Sequence, residues 1–388
     1  MMMLNKLATA MLSLSVASSV YAQTTEAEIA SLKAQLKAQQ AQIDALVAAV
    51  EQPTTSQGFA NTTLGGYGEA HYYNYDNAPQ QYDAYRFVLY VGHKFSNTVR
   101  LHSELEVEHA LIRDNPTGTT NLGEVELEQM FIEWNYAGKQ NLSIGQIILP
   151  IGFLNETHEP ETFYGTKRNP IETNLIPTTW WEGAVKASGL IPTVDGLSYN
   201  VLVSTGLKTD SAAIRSGRQK GAKAVAEDLA YTLGVNYRGI AGLDTGIAYQ
   251  LQQDITQSVG KTNKASLMEA HVAYSWQGFS TRALYARWDV EDLVAADAHK
   301  AKQDGYFLEA AYKPIEQVGV FARYSVWDNE AKNTSSNSED SEKQQWNYGA
   351  NYYLTPRVVL KLDIQDQKLA TLGTVDEDGF SLGIGYSF

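Results

Sequence analysis

The chain has 388 residues, no cysteine and a formal net charge of −14. Disulfides and thiolate sites are excluded, and the acidic surplus argues against nucleic acid as a partner. It carries 23 Tyr against 10 Pro, a composition that suits the aromatic girdles of a membrane barrel. Beyond the first residues no run of about 18 apolar side chains occurs, so no transmembrane helix is expected.

Residues 1–22 read as a secretory signal peptide: one positive charge at Lys6, an apolar run from Leu7 to Val20, then Val20-Tyr21-Ala22 for cleavage before Gln23. The run is broken by Ser13, Ser15, Ser18 and Ser19 and is too short for a spanning helix. Cleavage removes Lys6 and leaves the mature chain one unit more acidic. Residues 23–52 follow as a periplasmic coiled-coil helix, with Ile29, Leu32, Leu36, Ile43, Leu46 and Val50 at heptad a and d sites and Gln39 at the polar d site between them. Such a helix, about 36 Å long, is marginal alone and is expected to associate with its copies. A single amphipathic helix is the other reading. Residues 53–63 form a linker, and an outer-membrane β-barrel is expected over 64–388.

From Val99 to His109 the apolar Val99, Leu101, Leu105 and Val107 alternate with Arg100, His102, Glu104, Glu106 and Glu108. One such strand fits a sandwich or a barrel. The pattern recurs over 229–238, 243–252, 320–326 and 358–365, each time with a polar alternate face, as a lipid-facing and lumen-facing wall requires. Short links near Asn97, Gly138, Asp195, Gly239, Gly278, Pro314 and Pro356 alternate with long ones. The long links run Asp114–Thr120, Pro150–Trp180, Lys208–Glu227, Asp254–Lys264, Glu291–Gln303, Asp328–Lys343 and Lys368–Asp378. This short and long order, periplasmic turn and external loop, gives an all-β, transmembrane antiparallel β-barrel of about 16 strands.

Two strands resist phasing. Between Glu124 and Tyr136 the apolar set changes face near Gln129, and Arg282 and Arg287 cannot both point inward without a bulge. The last strand alternates Phe380, Leu382, Ile384, Tyr386 and Phe388 with Ser381, Gly383, Gly385 and Ser387. Its aromatic end resembles the signal read by the barrel assembly machinery, which is expected as a partner during insertion.

The longest link holds Gly145-Gln146-Ile147-Ile148-Leu149-Pro150-Ile151-Gly152-Phe153, His158-Glu159-Pro160, Thr162-Phe163-Tyr164, Lys167-Arg168-Asn169 and Ile176-Pro177-Thr178-Thr179-Trp180. On these residues the chain resembles the phosphate-selective porin O and P family, over the barrel from Leu64 to Phe388. The resemblance implies a trimeric sixteen-stranded porin whose third external loop folds inward and narrows the channel. A loop of this length without regular structure is more often functional than not, and an unobstructed barrel of this size would leave a wide aqueous channel.

The constriction is expected from Glu156, His158, Glu159, Glu161, Lys167, Arg168 and Glu172. Lys167 and Arg168 are candidate anion contacts; alternatively they pin the loop to the acidic wall at Glu104 or Glu133. Tyr164 and Trp180 read as packing anchors. Candidate pore-wall residues are Arg100, Glu104, Glu133, Lys186, Arg238, Arg323 and Lys361. That is a modest basic set beside the acidic Glu106, Glu309 and Asp363, so a phosphate channel does not follow and a general pore is the safer expectation. Arg215, Arg218, Lys220 and Lys223 make a basic mouth loop that either concentrates anions or meets lipopolysaccharide. Glu124, Glu126 and Glu128 read as a solvated strand extension.

There is no Gly-x-Ser-x-Gly elbow and no His-Glu-x-x-His helix, and the seven His are scattered. No enzyme activity, metal or cofactor is expected. Outer-membrane lipid and lipopolysaccharide, two further copies of the chain and nearby peptidoglycan are the expected surroundings. The rival reading is a structural or surface-binding outer-membrane barrel with a closed lumen, tethered through the coiled coil.

Overall fold

The computed structural model describes residues 60–110, 123–260, 262–331, 341–369 and 377–388. The expected signal peptide, the coiled coil and most of the linker lie outside the described residues, as do parts of four external loops. No helix among the described residues is long and apolar enough to cross a membrane.

Alternation along the chain folds into sixteen strands: β1 (Thr62–Tyr75), β2 (Gln81–Lys94), β3 (Val99–Glu108), β4 (Val125–Ala137), β5 (Gln140–Ile148), β6 (Trp181–Leu190), β7 (Leu197–Ser204) and β8 (Ala230–Tyr237). There follow β9 (Leu243–Gln252), β10 (Ala265–Trp276), β11 (Phe279–Val290), β12 (Lys302–Ile315), β13 (Val318–Asp328), β14 (Lys343–Thr355), β15 (Val358–Leu369) and β16 (Gly379–Ser387). Every strand pairs with its sequence neighbours, and β16 closes antiparallel on β1 from Tyr67 opposite Ser387 to Tyr75 opposite Gly379. β1 begins two residues before the expected Leu64. Closure leaves no unpaired edge, and Phe388 extends the seam through mutual backbone hydrogen bonds with Gly66.

The side-chain period of two sends Leu105, Ile132, Ile144, Val201, Leu233, Ile247, Leu308 and Leu360 to the exposed outer face. Between them Glu104, Glu106, Thr232, Gln250, Arg323 and Lys361 turn into the barrel. Aromatic side chains ring the periplasmic ends: Trp134 near Tyr136, and Phe279 stacked on Tyr312 with centroids 4.2 Å apart. An apolar band of this extent cannot face water without association; in a bilayer it meets acyl chains.

The two unphased strands have different explanations. On β4 the switch is a β-bulge: Glu104 pairs with Gln129 and Leu105 with Leu127, leaving Glu128 as the extra residue. Leu127 and Met130 thereby both face out, while Glu128 and Phe131 face in. On β11 there is no bulge, since its pairing with β10 and β12 runs unbroken. Arg282 points inward and Arg287 lies on the opposite face, held by Asp289 at 2.6 Å.

The inward face of β11 is itself apolar. Leu284, Ala286, Trp288 and Val290 join Leu267, Phe307 and Trp327 in a buried cluster with Leu149, Ile151, Ile171, Leu175, Ile176 and Trp180 of the third external loop, and with Leu207, Ile214 and Ile255 of the next two. A dry core therefore occupies the lumenal side of β9 to β12.

Candidate functional site

The third external loop, 149–180, is organised by one carboxylate. A short helix, α1 (Pro170–Asn174), starts at Asn169, whose side chain accepts the Glu172 N–H at 2.9 Å, and Pro170 fits its first position. Glu172 Oε1 accepts the N–H groups of Phe153 and Leu154, both at 2.6 Å, and Oε2 accepts Asn169 Nδ2 at 2.7 Å. Gly152 stands at φ +76°, and a Cβ there would lie 2.5 Å from Glu172 Oε1. Burial raises the Glu172 carboxyl pKa, opposed by these donors. Glu172 is fully buried; it ties the loop together and does not line a constriction.

The middle of the loop crosses to the far wall. Arg282 donates to the Thr162 carbonyl (3.0 Å), Arg323 to that of Tyr164 (3.3 Å), and Lys361 to those of Phe163 (3.1 Å) and Gly165 (2.8 Å). The Thr166 N–H donates to Asp363 (3.3 Å), and Ser387 donates to Glu161. Tyr164 stacks on Phe321 at 5.4 Å, as a packing anchor would. Bare backbone at Gly383 and Gly385 makes room, because a Cβ on Gly385 would sit 2.3 Å from Pro160. Arg323, which also pairs with Glu309 at 3.1 Å, and Lys361 are thus held by the loop and are not open pore-wall cations.

On the other side of the lumen His158 reaches β3 and β4. Its Nε2 lies 3.5 Å from both Glu104 Oε1 and Glu128 Oε2. Burial works against the imidazolium, but the two carboxylates outweigh it and push the pKa up to about 10. The loop is therefore pinned to Glu104 as one reading of the sequence proposed, by His158 and not by Lys167 or Arg168. Glu159 accepts from Tyr90 (3.3 Å), Glu156 faces Lys186 (3.7 Å), and Glu133 faces His102 (3.7 Å) beside Arg100, its partner in register. Arg238 departs from expectation: it lies past the end of β8, in the periplasmic turn, exposed and bound to Asp244 at 2.9 Å.

The basic mouth loop also folds inward. Arg215 donates to the carbonyls of Thr173 and Thr178, both at 3.0 Å, and Arg218 to those of Pro177 (3.0 Å) and Thr179. Burial lowers the Arg218 pKa to about 10, with Arg215 beside it acting the same way. Lys220 pairs with Glu126 and lies 3.5 Å from Glu124, so those two acids are not a free solvated extension. Lys223 stays exposed.

Between the loop and the walls of β1, β2, β14 and β15 remains a cavity of about 450 Å³, lined by Lys167, Arg168, Arg215, Glu69, His71 and Arg86 among others. Lys167 Nζ stands over the rings of Tyr75 (4.2 Å) and Tyr73 (5.1 Å), and burial lowers its pKa. Arg168 donates to Thr179 Oγ1 at 2.9 Å and leaves its buried Nη2 without a hydrogen-bond partner. Glu69, His71 and Arg86 escaped the sequence reading, while Glu106 was expected as an inward acid. Arg86 lies 2.9 Å from Glu69 and 3.1 Å from Glu106, and His71 lies 3.2 Å from Glu69. Their signal is the alternation Glu69-Ala70-His71 and the lone Arg86 between Tyr85 and the outward Phe87.

Residues 171–372 match a family model described as Gram-negative porin. A protein of Aquifex aeolicus (strain VF5) described as uncharacterized is 30% identical over 331 residues, covering 78% of this chain and 74% of that protein. Among solved structures, the anion-selective porin from Comamonas acidovorans is similar with TM-score 0.58 at 13% identity, covering 84% of this chain and 99% of that one. The in-vitro folded trimer form of the Vibrio cholerae outer membrane protein OmpT is similar with TM-score 0.55 at 10% identity, again over 84% and 99%. At these identities the likeness is one of fold.

Proposed function

We propose that this chain, which belongs to the Gram-negative porin family, is a trimeric diffusion channel, narrowed by its third external loop, that favours small hydrophilic anions. As a porin it is a channel of the outer membrane. The pairing of charges at the cavity carries the sign of the preference. The acidic Glu69 and Glu377 that line it are outnumbered by Arg86, Lys167, Arg168, Arg215 and Lys343. Lys167, Arg168 and Arg215 have no carboxylate ion pair among the described residues, and the surplus of charge in the cavity is positive.

The anion-selective porin of Comamonas and the trimer form of OmpT support the reading by analogy, and the heptads of residues 23–52 suit self-association. Phosphate selectivity, which the family resemblance implied, has less support. Arg323 and Lys361 are engaged by the loop and Arg238 stands in a turn, so these three do not form a ladder of open cations along the wall.

The test is the zero-current potential of single channels in a potassium chloride gradient. The double variant Lys167→Gln, Arg168→Gln is expected to lower the anion-to-cation permeability ratio by roughly twofold or more. An unchanged ratio, or cation preference in the unaltered chain, would overturn the anion reading.

A further inference from the structure

Three buried atoms converge beneath the third loop: Glu104 Oε1 on β3, Glu128 Oε2 on β4 and His158 Nε2 on the loop itself. All three residues are at most 3% exposed, and none of these atoms has a hydrogen-bond partner. The imidazole nitrogen lies 3.5 Å from each carboxylate oxygen, and the three atoms fall within 4.8 Å of one another. We propose that Glu104, Glu128 and His158 form a binding site for one divalent transition-metal ion of the zinc type, which clamps the third loop to the β3–β4 wall.

The spacing supports coordination better than hydrogen bonding. An N–H···O bond closes to about 2.7–3.2 Å, shorter than either contact here. Ligand atoms around a tetrahedral ion with bonds of about 2.1 Å stand about 3.4 Å apart, close to the separation found. The remaining atoms of two of these groups are already engaged, as the outer partners of metal ligands are. Gln129 Nε2 donates to Glu104 Oε2 at 2.6 Å, and His158 Nδ1 lies 3.0 Å from the Asn155 carbonyl. That contact selects the tautomer with its proton on Nδ1 and frees Nε2 to ligate.

Charge and ligand chemistry agree with this. Two carboxylates and a neutral imidazole balance a divalent cation, where a lone proton on His158 leaves the trio one unit negative. One imidazole with two carboxylates suits zinc-type ions rather than calcium or magnesium, which take oxygen only. The fourth position is left to water. Glu128 reaches the point because it is the extra residue of the β4 bulge, and bulges characteristically re-aim a side chain at a site.

The purified full-length protein, stripped with a chelator, is titrated with Co²⁺ alone and then with Zn²⁺. The expected result is one Co²⁺ per chain, with the visible absorption of a four-coordinate site, displaced by Zn²⁺. The signal is lost in His158→Gln and kept in His271→Gln, which alters a separate buried His–Glu pair, with Glu269 at 2.7 Å. Absence of saturable binding, or a spectrum unchanged by His158→Gln, would overturn the site. X-ray absorption of the zinc-loaded unaltered protein decides independently of how the variants fold: an imidazole in the first shell supports the site, and a shell of oxygen alone overturns it.

Discussion

Replacing residues 157–167 by a short glycine–serine link is expected to raise single-channel conductance on the order of two- to fivefold, since a sixteen-stranded barrel without obstruction leaves a wide aqueous lumen. This is the stretch that crosses from His158, against β3 and β4, to Thr166, against β15. The Glu172 bonds to the N–H groups of Phe153 and Leu154 and the start of α1 lie outside it, so the base of the loop keeps its frame. The replacement also releases Lys361 from the carbonyls of Phe163 and Gly165 and Arg323 from that of Tyr164. Lys167 and the His158 that faces Glu104 and Glu128 leave with the same stretch, so the expected change is in conductance and not a gain in anion preference. Planar-bilayer recording reads the conductance. Conductance equal to that of the unaltered chain would place the narrowest point elsewhere.

Trp288→Ala should destabilise the barrel by about 3–5 kcal/mol, the usual cost of truncating a buried tryptophan. The ring is 1% exposed, packs 6.1 Å from Trp180 between centroids, and donates through Nε1 to the Leu175 carbonyl at 2.9 Å. Its loss leaves a cavity between β11 and the third loop and strips a buried carbonyl of its donor. Trp288→Phe retains most of the packing and should cost less than half as much. Denaturant unfolding in detergent or lipid measures both. A Trp288→Ala barrel within about 1 kcal/mol of the unaltered one would show that the lumenal cluster does not hold the loop.

The strands and their order were legible because lipid on one side and water on the other enforce a period of two. Where the lumenal side is also apolar, as at Leu284, Ala286 and Trp288, the contrast vanishes, and β11 could not be phased for that reason. On β4 the contrast was present and its interruption was visible; only the residue responsible, Glu128, needed the pairing to identify it.

The candidate site was legible as a set of residues and not as a set of partnerships. Inward alternation found Arg323 and Lys361 but does not say whether an inward cation meets solvent or a loop carbonyl. Glu172 looked like any loop acid, since its partners are backbone N–H groups that sequence does not mark. The pin on Glu104 was assigned to permanent cations when the nearest group is His158, whose charge depends on the two carboxylates around it. The glycines facing inward on β16 carried a usable signal: alternate residues without side chains make room for another segment, here Pro160 and Thr166.

Recording from purified protein in a planar bilayer, with unequal salt on the two sides, tests the central claim most directly. A trimeric anion-favouring porin predicts stepwise conductance that closes in threes and a zero-current potential of the anion-selective sign; a silent bilayer at protein levels where the reconstituted barrel is demonstrably inserted would contradict it.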